Sequence, residues 1–213
     1  MIFVSRSIPG LVSREEMFYR RSGPVDPETI PTEYRDRLGS TTKDTTIPEL
    51  EDFLKKGGHI ISIGSANDLA YHLGLPVENA LAKKTQDGKS ESLPMEEFFI
   101  PGSILEVKVN NSNPLAYGMP EKVNVFFNRS PVFRLLPEAT LKGYEPVSWF
   151  DAEKPLISGW ALGQQNLIGG IAVLDAKVGK GRFLMLGPEV TFRAQPHSTF
   201  KILFNGIYYS GLK

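Results

Sequence analysis

The sequence contains no cysteine, which excludes disulfides, thiolate metal ligands and cysteine nucleophiles together. Histidine is almost as scarce, with only His59, His72 and His197 present. None of the three is followed by glutamate at the third position, so the His-x-x-Glu pair through which many zinc hydrolases hold their metal is missing. An excess of either charge is lacking too. The chain has 24 Lys and Arg against 24 Asp and Glu, and nothing recommends nucleic acid or an anionic membrane as partner. No apolar run approaches the roughly 20 residues that a membrane helix requires, so membrane insertion is not expected. Met1-Ile2-Phe3-Val4 is apolar only briefly before Arg6, too short for the core of a signal peptide.

What is present suits one globular domain over residues 1–213, with 41% hydrophobic and 23% charged residues. Its 20 glycines and 16 prolines are spread along the chain, which predicts many short elements joined by tight connections. Residues 2–5 read as a short buried strand. Residues 8–45 read as a long irregular segment punctuated by Pro9, Pro24, Pro27 and Pro31. Thr46 and Glu49 have the spacing of a capping box, Pro48 suits a first helical turn, and Leu50, Phe53 and Leu54 form an apolar stripe. Lys55 and Lys56 stand where a helix dipole favours cations, and Gly57 can take the left-handed stop. The run 59–63 then reads as a buried strand ending at Gly64, and 67–73 as the next helix, together a parallel α/β unit.

Residues 83–92 read as an exposed polar loop. Leu105, Val107 and Val109 alternate with charged residues as in a half-buried strand. Further strands are expected at 123–127, 132–135 and 146–150, and a hairpin turn at 178–181 between strands 171–174 and 182–186. Phe200, Leu203, Phe204, Ile207 and Tyr208 have the spacing of an amphipathic closing helix capped by Ser198 or Thr199.

Three stretches carry a family resemblance. They are residues 53–65 (Phe53-Leu54-Lys55-Lys56-Gly57-Gly58-His59-Ile60-Ile61-Ser62-Ile63-Gly64-Ser65), 113–120 (Asn113-Pro114-Leu115-Ala116-Tyr117-Gly118-Met119-Pro120) and 187–197, with Asn205-Gly206-Ile207-Tyr208-Tyr209 at the close. Together they resemble the C-terminal domain of bacterial zinc carboxypeptidase-like proteins, a domain similar in fold to class I glutamine amidotransferases. The resemblance implies an α/β, flavodoxin-like layered sheet that lacks its first β-α-β unit and has an added antiparallel β portion. It also implies a C-terminal fragment of a larger, secreted or periplasmic protein. The partner would be the upstream peptidase domain, with zinc held there and no cofactor in this chain.

An amidotransferase needs a cysteine on the sharp turn after a buried strand, with a histidine and a glutamate later in the chain. The comparable turn here is Ile63-Gly64-Ser65-Ala66-Asn67. A hydrolase reading makes Ser65 the nucleophile, His197 the base and Glu189 its orienter; the plainer reading is a turn and a helix cap. Glu189, Arg193, Gln195 and His197 are the densest polar cluster and follow a strand, where open α/β sheets bind ligands. One reading makes them a pocket for a peptide or small carboxylate with Arg193 as the anion contact. The other has them satisfy loop backbone and pair with one another. Gly179-Lys180-Gly181-Arg182 lacks the spacing of a phosphate-binding loop. Trp149, Phe150 and Trp160 suit a sugar platform or, more plainly, a core. The expectation is a non-catalytic accessory domain that stabilises or positions a peptidase or recognises its substrate. The alternatives are a degenerate amidotransferase-like hydrolase and a free-standing small-ligand module using residues 189–197.

Overall fold

The structure, a computed structural model, describes residues 1–4, 7–8, 27–37, 41–85, 87–88 and 90–209; most of the expected irregular segment 8–45 therefore lies outside the described residues. Strand β1 (Ile2–Phe3) pairs in parallel with β2 (His59–Ile63). It is an edge strand with Ile2 49% exposed, not the buried strand expected. Between them runs helix α1 (Thr46–Lys55), whose Ile47, Leu50 and Leu54 are buried. The capping box does not form. The Thr46 hydroxyl instead accepts the Thr42 N–H at 3.0 Å, the Thr42 hydroxyl accepts the Thr46 N–H at 3.4 Å, and the Thr45 side chain makes no capping bond. The exposed pairs Glu51–Lys55 and Asp52–Lys56, each 2.6 Å, run one turn apart along α1. Gly57 ends the helix at φ 107°, a conformation that disfavours any residue with a Cβ.

After β2 the chain makes a 3-10 turn, Gly64–Asp68, and a short helix α2 (Leu69–His72), so the expected helix 67–73 is only half α-helical. Strand β3 (Val77–Asn79) follows, and the expected loop 83–92 is instead a small hairpin of β4 (Ala82–Lys84) and β5 (Ser90–Ser92). Strand β6 (Ser103–Val109) buries Leu105, Val107 and Val109 as the alternation predicts. The remaining strands are β7 (Lys122–Phe127), β8 (Phe133–Leu135), β9 (Tyr144–Trp149), β10 (Leu156–Ser158), β11 (Ile171–Val178) and β12 (Gly181–Leu186), before the closing helix α3 (His197–Tyr209).

Ten of these strands join one sheet along the path β1-β2-β12-β11-β9-β6-β10, with β7, β3 and β8 at its flanks. The pairs β1–β2 and β2–β12 are parallel, and from β12 onward every neighbour is antiparallel. Alternate residues of the central strands feed two cores. Ile60, Phe183, Met185 and Leu174 pack under α1 and α2, while Ile61, Leu184 and Val173 pack in the same core as Ile202 of α3. The molecule is thus a layered α/β sheet of flavodoxin-like arrangement with an antiparallel extension. Among the described residues no helix is long and apolar enough to cross a membrane.

Helix α3 turns a different face inward from the one its apolar spacing suggests. Thr199, Ile202 and Gly206 are buried, whereas Phe204 is 54% and Tyr208 76% exposed. A Cβ on Gly206 would stand 3.2 Å from both Ile61 and Leu184, so the small residue lets the helix lie close on the sheet. The segment 113–120 is its dock. The Asn205 amide donates to the carbonyls of Leu115 (2.9 Å) and Tyr117 (3.0 Å), and the Lys201 ammonium to that of Gly118 (3.0 Å). The hydroxyls of Ser198 and Thr199 do not cap the helix; they donate to the carbonyls of Asn124 (2.9 Å) and Val190 (2.7 Å).

Candidate functional site

Two parallel strands, β2 and β12, end side by side, and the turn after β2 is built to stay rigid there. Gly64 takes φ 57°. Asn67, fully buried, donates its amide to the carbonyls of Gly64 (2.7 Å) and Leu186 (2.9 Å) and accepts the Ser62 hydroxyl at 2.6 Å. Both polar atoms of that side chain are thereby engaged, and the strand ends are tied together. This turn presents half-buried Ser65 to a cleft of about 300 Å³, a volume at the lower end of small-ligand sites.

The cleft is bounded by Ser65 and Asp68 of the turn, Tyr71 of α2, the stretch from Leu93 to Ile100, and the loop Arg129-Ser130-Pro131. Burial, and then the negative charges of Asp68 and Glu78, hold the Tyr71 hydroxyl far above its ordinary range, so it stays a proton donor. Arg129 stands out because it is not glycine yet sits at φ 50°. Such backbone strain persists only where surrounding structure enforces it. Here its N–H donates to the Ile100 carbonyl (3.2 Å), and the buried Ser130 hydroxyl accepts the Asn128 N–H (3.2 Å). On the other side Gly187 lies so close to the loop that a Cβ would come within 2.3 Å of the Pro131 carbonyl oxygen. The Arg129 guanidinium rests 5.0 Å from the centre of the Phe99 ring.

Ser65 lines the cleft, and Glu189 and His197 do not. Glu189 is half-buried after β12 with its N–H on the Phe126 carbonyl (3.3 Å), and the exposed His197 ring meets the Ala194 carbonyl at 2.8 Å. Arg193 and Gln195 are exposed, and the Arg193 guanidinium lies 5.1 Å over Phe192. Residues 189–197 therefore form a turn that packs on β7, with Phe192 stacked on Phe126 at 4.2 Å. The aromatics proposed as a sugar platform also part company. Phe150 is fully buried against Phe127, while exposed Trp160 lies 5.9 Å from Phe99 beside the cleft.

Sequence reasoning missed Arg129, Phe99 and Tyr71. The one signal was local: Asn128-Arg129-Ser130-Pro131 is a polar turn carrying a cation directly after an apolar strand. Among the described residues no group of three or more His, Asp or Glu could hold a metal ion, and His59, His72 and His197 stand on separate elements.

At the opposite end of β12 is a second polar cluster. The fully buried Asp175 accepts from the Arg182 guanidinium at 2.6 Å and from the Asn113 amide at 3.4 Å. Asn113 also reaches Glu145 (3.0 Å) and receives the Leu115 N–H (2.9 Å), so this network anchors the segment on which α3 docks.

Fold and cleft define an α/β domain with a ligand-sized site at the ends of its parallel strands. No protein-family model matches the chain and no curated protein matches it in sequence. Among solved structures it is similar to a protein described as a GMP synthase subunit from Thermoplasma acidophilum, at 15% identity and TM-score 0.48, covering 99% of this chain and 93% of that one. It is also similar to PurLQS from Thermotoga maritima, at 13% identity and TM-score 0.43, covering 76% of this chain and 67% of that one. A third similar structure is a beta-galactosidase from Bacillus circulans sp. alkalophilus, at 11% identity and TM-score 0.46. There the match covers 80% of this chain but spans only 21% of the enzyme's length.

Proposed function

We propose that this chain is a non-catalytic recognition domain that works beside a separate catalytic domain of the zinc carboxypeptidase-like type, holding a ligand in the cleft without transforming it. The observation that carries this reading is the position of Ser65. It occupies the turn where an amidotransferase-like sheet would place a nucleophile and it lines the cleft, while Glu189 and His197 do not line that cleft. A serine hydroxyl in a cleft that no histidine lines is a hydrogen-bonding group and a poor nucleophile. The motifs at 53–65, 113–120 and 187–197 support the peptidase as the neighbour.

The test has two parts. The purified chain, incubated with glutamine, a p-nitrophenyl ester and a C-terminally apolar dipeptide, is expected to release product no faster than buffer. Turnover that vanishes in Ser65→Ala would overturn the recognition reading in favour of a hydrolase. Added to a zinc carboxypeptidase-like catalytic domain encoded in the same genome, the chain is expected to lower KM with kcat unchanged. A KM that does not respond would refute the partnership.

A further inference from the structure

The outward side of helix α3 lacks what a helix facing water usually carries. A helix lying on a sheet ordinarily turns charged residues to solvent. The 13 residues of α3 include no Asp or Glu, and Lys201 is their single Lys or Arg. Phe204 and Tyr208, one turn apart and hence neighbours on one face, stand 54% and 76% exposed, with Ile207 41% exposed on the same turn.

The surface continues past the helix. The Asn205 amide donates to the Tyr117 carbonyl at 3.0 Å, which brings the segment 113–120 alongside Phe204 and Tyr208, and Tyr117 is 77% exposed. Residues 113–119 carry no charge either. The polar groups among these apolar ones are already engaged. Asn205 also donates to the Leu115 carbonyl (2.9 Å), and the Lys201 ammonium, at the N-terminal edge of the patch, donates to the Gly118 carbonyl (3.0 Å). Covering the patch strands neither the amide nor these carbonyls, so the usual penalty for burying polar groups is small.

Single exposed apolar residues are normal, but three aromatics and an isoleucine gathered on an uncharged face mark an interaction surface. At roughly 150–250 Å² for each aromatic when fully covered, the exposed parts come to about 500 Å² on one chain. Two such faces together bury about 1,000 Å², the lower limit for a specific protein–protein interface. Charge then selects the partner. A different protein is commonly oriented by complementary charges, and of these α3 and residues 113–119 bring only Lys201, at the edge. A second copy needs none: about a two-fold axis every contact occurs twice, and an uncharged face meets itself without like-charge repulsion.

We infer that this face pairs two copies of the chain about a two-fold axis, with the Phe204 and Tyr208 rings of both at its centre and Tyr117 at the rim. Tyrosine suits the place, since its ring is covered while its hydroxyl reaches water. The small area makes the pair reversible, with a dissociation constant on the order of 10–100 µM.

Sedimentation velocity of the purified chain, from about 1 µM to about 300 µM so as to bracket that constant, is the test. The average mass is expected to rise from one chain to two. Phe204→Lys and Tyr208→Lys, each setting like charges across the axis, are expected to weaken association at least about ten-fold. Leu141→Lys, at a residue 91% exposed in the turn before β9, is expected to leave it unchanged. Circular dichroism shows that each variant is folded. A single-chain mass at every concentration, species growing beyond two chains, folded Phe204→Lys and Tyr208→Lys that associate as the unaltered chain does, or an equal loss in Leu141→Lys would overturn the proposal. So would a chain that stays single yet loses binding to the catalytic domain in Tyr208→Lys, because the face would then belong to a different protein.

Discussion

The side-chain amide of Asn67 donates to the carbonyl of Leu186 at 2.9 Å, joining the turn after β2 to the end of β12. Asn67→Leu keeps the volume but leaves the Ser62 hydroxyl and the Gly64 and Leu186 carbonyls without this partner. Stranded buried groups cost about 1–3 kcal/mol each, with relaxation and water recovering part. A loss on the order of 3 kcal/mol in urea unfolding is expected, together with weaker ligand binding because Ser65 rides on the same turn. A change below about 0.5 kcal/mol would show that the turn is held by packing alone.

Gly187 links stability to the cleft more directly. Alanine there would force its Cβ to within 2.3 Å of the Pro131 oxygen and 2.8 Å of the Ala172 oxygen, both backbone atoms that cannot swing away. Gly187→Ala is expected to destabilise by about 1–3 kcal/mol, the ordinary range for overpacking. It should also displace the loop carrying Arg129, seen as a change in the emission of Trp160, whose ring lies 5.9 Å from that of Phe99.

The cluster around Asp175 predicts opposing pH effects. Burial raises the Asp175 carboxyl above its ordinary value of 3.8, and the Arg182 ion pair and the Asn113 hydrogen bond offset this only in part. A group raised on folding holds its proton more tightly in the native state. Its contribution is complete below pH 3.8 and fades as the pH climbs through the raised value. His59 runs the other way: burial, then the Arg182 charge, lowers its imidazole from 6.5 despite nearby Asp175. Its contribution is complete above pH 6.5 and lost as the pH falls through the lowered value. Arg182→Leu, which leaves the buried carboxylate without its cation, is expected to cost on the order of 3 kcal/mol at pH 7. The cost should shrink as Asp175 protonates at lower pH, and adding Asp175→Asn should restore most of the loss at pH 7. Urea melts of the single and double variants at pH 7 and pH 4 check this.

Helix α3 offers a test of which face is inside. Tyr208→Lys is expected to change stability by less than about 0.5 kcal/mol, as exposed positions do. Ile202→Ala, at a residue 1% exposed, is expected to cost about 2–5 kcal/mol. The reverse ranking in thermal unfolding would mean that the face carrying Phe204 and Tyr208 is the packed one.

Elements whose signal is local were legible in the residues. The run 59–63 is strand β2 at its expected bounds, the alternation of Leu105, Val107 and Val109 is buried as its period requires, and the turn at 178–181 joins β11 to β12. Misreadings arose where a second partner decides. The Thr46 hydroxyl has both Glu49 and Thr42 within reach along the chain, and the backbone path before the helix selects Thr42. The hairpin β4–β5 reads as a loop because its strands are exposed and polar, so no apolar period marks them.

Composition and spacing by themselves determined a parallel α/β unit, the absence of thiol chemistry and the position of Ser65 on a turn after a buried strand, because each depends on residues adjacent in the chain. Tertiary structure alone decided that α3 packs through Ile202 and Gly206 and leaves Phe204 and Tyr208 exposed, because the small Gly206 lets that face lie close on the sheet. It also decided that the cleft belongs to Arg129, Phe99 and Tyr71 and not to residues 189–197. A site assembled from segments between residues 65 and 131 leaves no periodic trace; only the closing of the sheet brings its walls together.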